Sequence, residues 1–434
     1  MTSRQLLSMQ PLLMAIAMAS AGPAVASNVS VPTLTGWAAM PAATFADGPT
    51  SGRFAGANPY GTNLPPYVGR QPVQGFSGVL RGPGRDTYRF LVDNGFGAKA
   101  NSADALLRMY TLSLDLRTRT GGTGTVSAAD WVSGRPRASF DGRTRITLND
   151  ASQLLGIPIQ ADYTNYYDNP AGVPVDADVR ARRLLTGADL DIESVRRDHR
   201  GNYWFGDEFG PYLVKTDAQG TVLRPAIPLP GVYAPESTAV AAGTASANLG
   251  GSGGFEGMAI NASGTRLYPL LEKTVAGDPA KQLRINEFDI DAESYTGTVW
   301  FYPLEAAGTA IGDMVAVDDQ RFIVIERNGG TATTPATAPF KKLYLVDLTD
   351  VPSGGTAHKT ELADLMAIAD PDDLNQDGHP VYTMPYVTIE DVLILDDHTV
   401  LVVNDNNFPY GGGRELASDI TEFIRISLPS GLRR

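Results

Sequence analysis

Acidic side chains recur at matching positions in several similar segments of this chain. Four segments begin with an acid that precedes a short apolar run, at Glu193, Glu256, Asp313 and Glu390. Each continues through a turn rich in Asp, Gly or Asn into a second apolar run that ends in another acid. A fifth, similar segment extends from Ser77 to Asn94. Repeated units of this kind stack or lie around an axis, so equivalent carboxylates are expected to come close together.

Clustered carboxylates raise one another's pKa unless cations neutralise them. A hard divalent ion, Ca²⁺ above all, is the expected partner of an all-oxygen cluster. Seven acids are therefore candidate catalytic residues, as metal ligands or water activators: Glu193, Asp207, Glu208, Glu256, Glu272, Glu390 and Asp405. Glu193, Glu256 and Asp405 are the expected metal ligands among them. The alternative is that the acids cap turns and pair with backbone amides.

Cations and amides near these acids are the candidate substrate contacts. Arg327 could hold a phosphate or a carboxylate through its guanidinium group. Asn94, Asn406 and Asn407 would supply neutral oxygen ligands or hydrogen bonds.

A second candidate calcium site lies in the string DPDDLNQDGHP. Asp373, Asn375, Asp377 and Gly378 match the first half of an EF-hand loop. The twelfth position is Met384 instead of Glu, which excludes a complete EF-hand. The alternative is a solvated turn of Asp and Asn residues.

Several other chemistries are excluded by residue type and spacing. The chain has no cysteine, and its four histidines show no zinc-binding spacing. The string GGSGG at 250–254 formally fits a serine nucleophile motif, but it lies in a glycine loop instead of a strand–turn–helix element. The net charge of −13 argues against nucleic acid and anionic membranes as partners.

The N-terminus has the three parts of an export signal. Arg4 supplies the positive charge, an apolar run follows, and Ala24–Val25–Ala26 fits the small-x-small cleavage rule. We expect cleavage near Ala26, no membrane span in the mature chain, and a periplasmic or secreted location. A monomer is expected.

Short strands with turns every 8–12 residues and a longer repeat predict an all-β fold, a β-propeller. The acids at Asp93 and Asp207 are separated by about twice the shorter spacings, so a sixth, degenerate unit is expected between them. Six blades are predicted, with five to seven possible, and a β-sandwich is the competing fold. The predicted domains are a signal peptide (1–26), N-terminal loops with a possible closing strand (27–73), and the propeller (74–434).

Three strings carry a resemblance to a known family: DIESVRRDHRGNYWFGDEFGPYLVKTDAQG, GFEGMAINASGTRLYPLLE and IEDVLILDDHTVLVVNDNNFPYGGGRE. They resemble the phytase-like family described as having esterase-like activity of phytase, whose members are exported bacterial β-propeller proteins. The resemblance covers residues 74–428. It implies a hydrolase in which several Ca²⁺ ions bridge a phosphate to an acidic site. Basic residues near the motifs are few (Arg327, Lys273 and Arg414), which departs from a phytate-binding site.

Three functions follow as hypotheses. The first is a calcium-dependent phosphoesterase, and the second is a lactonase or carboxylesterase with a single Ca²⁺. Either would act on a small-molecule phosphate or carboxylic ester. The third is a non-catalytic propeller that binds a sugar, a peptide or an envelope component. Aromatic residues near the loops would serve it: Tyr163, Tyr166, Tyr167, Trp204, Phe408 and Tyr410.

Overall fold

A computed structural model describes residues 30–167 and 172–433, and the fold is almost entirely β. The predicted signal and its cleavage site near Ala26 lie outside these residues. The first strands are β1 (Thr33–Met40), β2 (Phe45–Asp47) and β3 (Arg70–Pro72), of which β2 and β3 pair with each other. The helical elements are a 3₁₀ turn (Gln160–Asp162) and the short helices α1 (Ala177–Arg182) and α2 (Thr238–Ala241).

Five groups of four antiparallel strands follow along the chain. The first sheet contains β4 (Phe76–Arg81), β5 (Thr87–Val92), β6 (Arg108–Asp115) and β7 (Thr125–Ala128), and β8 (Arg145–Thr147) also pairs with β6. The second contains β9 (Ile192–Arg197), β10 (Tyr203–Asp207), β11 (Tyr212–Thr216) and β12 (Ile227–Pro228). The third contains β13 (Gly257–Ile260), β14 (Arg266–Leu270), β15 (Gln282–Asp289) and β16 (Ser294–Pro303).

The fourth sheet contains β17 (Ala310–Ala316), β18 (Arg321–Arg327), β19 (Lys341–Asp347) and β20 (His358–Asp364). A short pair, β21 (Ile368–Ala369) and β22 (Val381–Tyr382), comes next. The fifth sheet contains β23 (Asp391–Asp396), β24 (Thr399–Val403) and β25 (Thr421–Ser427), and its fourth strand is β1 from the other end of the chain. Strand β1 also pairs in parallel with β7, at Ala39 and Thr125, so the first and fifth sheets are joined edge to edge. The pairing of β1 with β25 runs from Thr33 opposite Ser427 to Met40 opposite Thr421.

The sheets form a closed ring. Their first strands contact one another in the order β4, β9, β13, β17 and β23, and β23 returns to β4. Five hydrophobic clusters fill the spaces between successive sheets, including the space between the fifth sheet and the first. A strand such as β18, which lies between two such clusters, is buried along its whole length. The predicted all-β propeller is therefore confirmed.

The sixth unit expected before Asp207 is not confirmed. In its described part, that segment contains no separate four-stranded sheet. Strand β7 completes the first sheet and β8 extends it beside β6. The loops between β8 and β9 pack their apolar side chains, among them Leu155 and Leu184, between the first and second sheets. The long stretch of chain between Asp93 and Asp207 therefore enlarges the first sheet and does not form a sheet of its own.

Strand direction explains where the repeated acids lie. In each sheet the first strand starts, and the second strand ends, at the same end of the ring. The opposite end holds the tight turns between these strands. In the turn after β9, for example, Asp198 accepts hydrogen bonds from the backbone N–H groups of Arg200 and Asn202, and Gly201 has a φ of 88°. The first end is called the acidic end below.

Candidate carboxylate site at the acidic end

Three glutamates from two sheets meet one arginine from a third. The Nη2 atom of Arg327, the last residue of β18, donates to Oε1 of Glu256 at 3.1 Å, of Glu272 at 3.3 Å and of Glu390 at 3.1 Å. Glu256 and Glu390 immediately precede β13 and β23, and Glu272 follows β14. We call these four residues the arginine cluster.

The arginine cluster is buried and has excess negative charge. Glu256 is 3% and Glu390 is 5% exposed, and Oε2 of Glu390 accepts a hydrogen bond from Ser77 Oγ at 2.9 Å. Burial and the neighbouring Asp405 raise the pKa of Glu390 to about 8, although Arg327 opposes the shift. Burial and repulsion from Glu390 and Glu272 raise the pKa of Glu256 well above its usual range. One guanidinium therefore cannot neutralise all three carboxylates.

A second group of acids lies beside the arginine cluster, and none of the described Lys or Arg side chains forms an ion pair with it. Burial, followed by repulsion from Asp191, Glu390 and Asp93, raises the pKa of Glu193 well above its usual range. Loss of water and repulsion from Asp405 and Asp191 raise the pKa of Asp93 in the same way. Oε2 of Glu193 is buried and has no hydrogen-bond partner. We call Asp93, Asp191 and Glu193 the acid trio.

Asn94 holds Asp191 of the acid trio in place. Its Nδ2 atom donates to Asp191 Oδ1 at 2.7 Å, while its Oδ1 accepts from the backbone N–H groups of Phe96 and Gly97. Asn94 was predicted as a substrate contact, and the structure brings it into the site next to an acid. Its amide group is already engaged on both sides.

The glycine loop at 250–254 passes close to the site. The Nζ atom of Lys273 donates to the carbonyl oxygens of Gly251 and Ser252, both at 2.5 Å. Ser252 Oγ lies 3.4 Å from Asp191 Oδ2. A Cβ atom on Gly254 would be 2.5 Å from the Cα atom of Glu208, so only glycine permits this approach. The loop thus covers the site as a tethered backbone segment and is no serine nucleophile elbow.

Two of the predicted acids bind the backbone. Both oxygens of Asp207 accept backbone N–H groups at 2.8 Å, from Asp191 and Gly210, and burial raises its pKa to about 7. Asp405 accepts from the N–H group of Asn407 at 2.7 Å and from Thr388 Oγ1 at 3.1 Å. These contacts fix the loops that carry the neighbouring residues.

Glu208 differs from these two because its Oε1 atom is buried and has no partner. Burial, followed by repulsion from Glu272 and Asp191, raises its pKa well above the usual range. It is 4% exposed. Glu208 therefore adds one more poorly compensated carboxylate to the site.

The other predicted substrate contacts are largely committed to the protein. Asn406 donates to Gln74 Oε1 at 2.7 Å and to the carbonyl of Asp419, and it is 1% exposed. Asn407 donates to Thr388 Oγ1 at 2.7 Å. Arg327 is committed through Nη2 to three glutamates, but its Nε atom has no partner.

The second predicted calcium site is an exposed turn between β21 and β22. Asn375 Nδ2 donates to Asp377 Oδ2 at 2.8 Å, and Asp373 Oδ1 accepts the N–H group of Gly378 at 3.0 Å. Asp377 Oδ1 accepts the N–H group of His379 at 2.8 Å. These side chains close the turn on itself and do not join the carboxylate site.

Within 30–167 and 172–433, no three or more His, Asp or Glu side chains are arranged to hold a metal ion. The arginine cluster already has a cation at its centre. The acid trio has the oxygen donors that suit Ca²⁺ and an unpartnered Glu193 oxygen, so its chemistry fits the ion. Calcium binding there would require the side chains to rearrange.

Several residues of the site were missed from the sequence. Asp191 and Asp391 lie within two residues of predicted glutamates in the strings DIES and IED but were not themselves predicted. Asp391 is 0% exposed, and neither of its carboxylate oxygens has a partner. Asp313 binds Arg196 Nη2 at 2.8 Å and lies deeper in the ring. Nothing in the sequence indicated that Ser77 would bind Glu390 or that Arg196 would bind Asp313.

Together these observations define a class: a β-propeller with a buried, carboxylate-rich site at one end of its ring. In the residues that the structure describes, no helix has both the length and the hydropathy needed to cross a membrane. The family model of phytase-like proteins, described as esterase-like activity of phytase, matches residues 71–408. The chain belongs to this family.

Other similarities are more distant. An uncharacterized secreted protein of Arthroderma benhamiae is 28% identical over 179 residues, which is 33% of this chain and 34% of that protein. The match thus spans about a third of the relative's length. Among solved structures, an α-L-arabinofuranosidase from Podospora anserina has a TM-score of 0.36 at 9% identity, covering 91% of this chain and 98% of its own. A GH43 β-1,3-galactosidase has a TM-score of 0.37 at 11% identity, with coverages of 87% and 94%.

Proposed function

We propose that the protein is an exported hydrolase of ester bonds whose reaction centre is the carboxylate site at the acidic end. The observation that carries the proposal is the meeting of Glu256, Glu272 and Glu390 on a single arginine, with the acid trio beside it. Such a concentration of buried, incompletely neutralised carboxylates destabilises a fold and is typical of functional sites. The family's esterase-like description supports hydrolysis as the activity.

The leading form of the proposal is a calcium-dependent phosphoesterase. Phosphate esters are anionic and would be repelled by these acids unless a cation intervenes. Ca²⁺ held by Asp93, Asp191 and Glu193 would offset that repulsion and polarise the phosphoryl group.

The chain's own residues would supply binding and proton transfer. Arg327 would donate from its unpartnered Nε to an ester oxygen, while its Nη2 remains bound to the glutamates. The unpartnered carboxylate oxygen of Glu208, which is not among the proposed calcium ligands, would accept a proton from the attacking water. Asn94 would keep Asp191 oriented, and the loop held by Lys273 would limit access of bulk water.

A second candidate is hydrolysis of a carboxylic ester, favoured by the site's negative charge. A neutral ester is not repelled by the acids and needs no additional cation for binding. Arg327 would then stabilise the oxyanion that develops on the carbonyl oxygen. The two candidates share the same residues and differ in the charge of the substrate.

Hydrolysis assays with added metal and chelator separate these candidates. The purified protein would be assayed on 4-nitrophenyl phosphate and 4-nitrophenyl acetate, with Ca²⁺ and then with a chelator. We expect chelator-sensitive phosphate release that falls at least 100-fold in Glu256→Gln. Glu361→Gln is the matched control, because Glu361 is an exposed acid of β20 paired with Lys342 at 2.7 Å.

Turnover of the acetate alone, with or without Ca²⁺, would replace the phosphoesterase by the carboxylesterase. A Ca²⁺-induced rise in melting temperature that is lost in Glu193→Gln would support the acid trio as the ion site, whereas loss in Asp377→Asn would assign calcium to the exposed turn. Absence of turnover on both substrates would reject the hydrolase and favour a binding propeller.

A further inference from the structure

A cavity of about 150 Å³ opens beside the second sheet. An apolar cavity of about this volume accommodates a single aromatic ring such as benzene. Its walls are mainly aromatic and aliphatic, formed by Ile157, Pro158, Tyr163, Tyr167, Phe209 and Tyr212. The cavity is distinct from the carboxylate site, and no residue of the arginine cluster or the acid trio lines it.

The cavity nevertheless adjoins the carboxylate site through its walls. Phe209 directly follows Glu208, and Asp189 lies two residues before Asp191. Glu236, another lining residue, is close enough to Asp191 to repel it. A Cβ atom on Gly251 of the glycine loop would lie 2.7 Å from Glu236 Oε1. Glu236 and the glycine loop therefore lie between the cavity and Asp191 of the acid trio.

The hydroxyl groups of Tyr167 and Tyr212 in the aromatic wall form hydrogen bonds within the protein. Tyr167 donates through its hydroxyl to the carbonyl of Ala188 at 2.7 Å, and the Tyr212 hydroxyl lies 2.9 Å from Thr238 Oγ1. Asp189 accepts backbone N–H groups from Gln160 and Thr186 at 2.7 and 2.8 Å. The aromatic rings of these tyrosines, and not their hydroxyl groups, therefore form the wall of the cavity.

Ring geometry and charge indicate what the wall would accept. The rings of Tyr163 and Tyr167 meet edge to face, with centroids 5.2 Å apart. Lys99 Nζ lies 5.2 Å from the centroid of Phe209, where a cation is attracted to the aromatic face. Among the described lining residues, Lys99 is the one basic side chain, against Asp189 and Glu236. A polyphosphorylated ring would meet more negative than positive charge here.

We infer that this cavity binds an aromatic ring in the leaving group of the substrate, so that the preferred substrates are aryl esters. The inference rests on the proposed function, because it places the scissile bond at the adjoining carboxylate site. In hydrolysis, the bond between the aryl oxygen and the phosphorus or carbonyl carbon breaks. Water supplies the hydroxyl group to the acid product and a proton to the departing phenolate.

A cavity-filling substitution tests the inference. Ala241 of α2 lines the cavity, and Ala241→Trp would place an indole in the space for the ring. We expect the ratio of kcat/KM for phenyl phosphate to that for ethyl phosphate to fall at least tenfold, because only the aryl ester uses the cavity. The neighbouring Ala242→Trp is the matched control, since Ala242 is exposed and does not line the cavity. The same ratio is measured for phenyl and ethyl acetate.

Direct binding separates this inference from the proposed function. The affinity for 4-nitrophenol, measured by calorimetry, should weaken at least tenfold in Ala241→Trp and stay unchanged in Ala242→Trp. If 4-nitrophenol binds in this way but no ester is hydrolysed, the ring site stands and the hydrolase proposal fails. If esters are hydrolysed but Ala241→Trp changes neither the aryl-to-alkyl ratio nor 4-nitrophenol binding, the ring site is wrong and the hydrolase proposal stands.

Discussion

At the scale of single residues, Arg327 is the main source of positive charge within the site. Lys273, the other nearby cation, directs its ammonium to the glycine loop and lies 3.5 Å from Glu272. A buried carboxylate that loses its cation is strongly destabilising, because neither water nor another charge replaces it. The arrangement makes the integrity of the site depend on one side chain.

Replacement of Arg327 by methionine should therefore destabilise the protein substantially. Glu256, Glu272 and Glu390 would be left buried without their shared donor, and loss of one partner of a buried ion pair costs about 3–5 kcal/mol. Urea unfolding would measure the change. Arg200→Met is the control, since Arg200 pairs with Asp291 on the surface and its loss should change stability by no more than about 1 kcal/mol. Equal effects of the two substitutions would contradict the assigned role.

Lys341 predicts a pH dependence of stability that arises mainly from the burial of its own side chain. This residue is 0% exposed, and its ammonium donates to the carbonyl oxygens of Asn328 and Val387. Burial, and then repulsion from Arg327, lowers the pKa of Lys341 to about 7. The unfolded chain keeps the lysine protonated up to about pH 10.4. Between these values the unfolded state binds more protons, so stability rises with pH.

The substitution Lys341→Met removes this unfavourable contribution, which is fully present below about pH 7. The stability of the variant relative to the natural protein should therefore fall as the pH rises from 7 to 9, by roughly 1.4 kcal/mol for each pH unit. Chemical unfolding at several pH values would show the slope. Lys342→Met should give a flat difference over the same range, because the ion pair with Glu361 raises the pKa of Lys342. A flat difference for Lys341→Met as well would refute the prediction.

At the scale of elements, the repeated unit could be predicted because the pattern of polar and apolar residues repeats with the strands. Glu193, Glu256 and Glu390 mark first strands, and their convergence follows from strand direction alone. Side-chain partners could not be predicted in this way. Arg327 lies at the end of β18, and only packing of the third, fourth and fifth sheets brings it to three glutamates.

Strand β1 provides the prediction at this scale. Its side chains alternate between buried and partly exposed positions, and Ala38, opposite Phe423, is 0% exposed. Ala38→Asp would bury an unpaired carboxylate in the space between the fifth sheet and the first. We expect a loss of several kcal/mol in the free energy of unfolding, measured with urea. Ala39→Asp, on the partly exposed face of the same strand, should have a much smaller effect. A loss for Ala38→Asp as small as that expected for Ala39→Asp would show that β1 contributes little to closure.

At the scale of the whole molecule, the ring was predictable but its division into sheets was not. The spacing between Asp93 and Asp207 suggested a sixth unit, whereas the described residues there extend the first sheet and fill the space beside the second. The spacing between two acids gives only the length of chain between them. It does not distinguish a new sheet from long loops added to an existing one. The same segment also forms part of the aromatic cavity. The loops between β8 and β9 contribute four residues to its wall: Ile157, Pro158, Tyr163 and Tyr167.

The pairing of β1 with β25 has a consequence for biosynthesis. Strand β1 gains its antiparallel partner β25 only when nearly the whole chain is present, so this closure of the ring cannot form on a partial chain. Until then the apolar surfaces of the first and fifth sheets have no neighbour and are exposed to chaperones and proteases. A chain that ends before β25 would leave that edge of β1 open, and an open strand edge favours pairing with other chains.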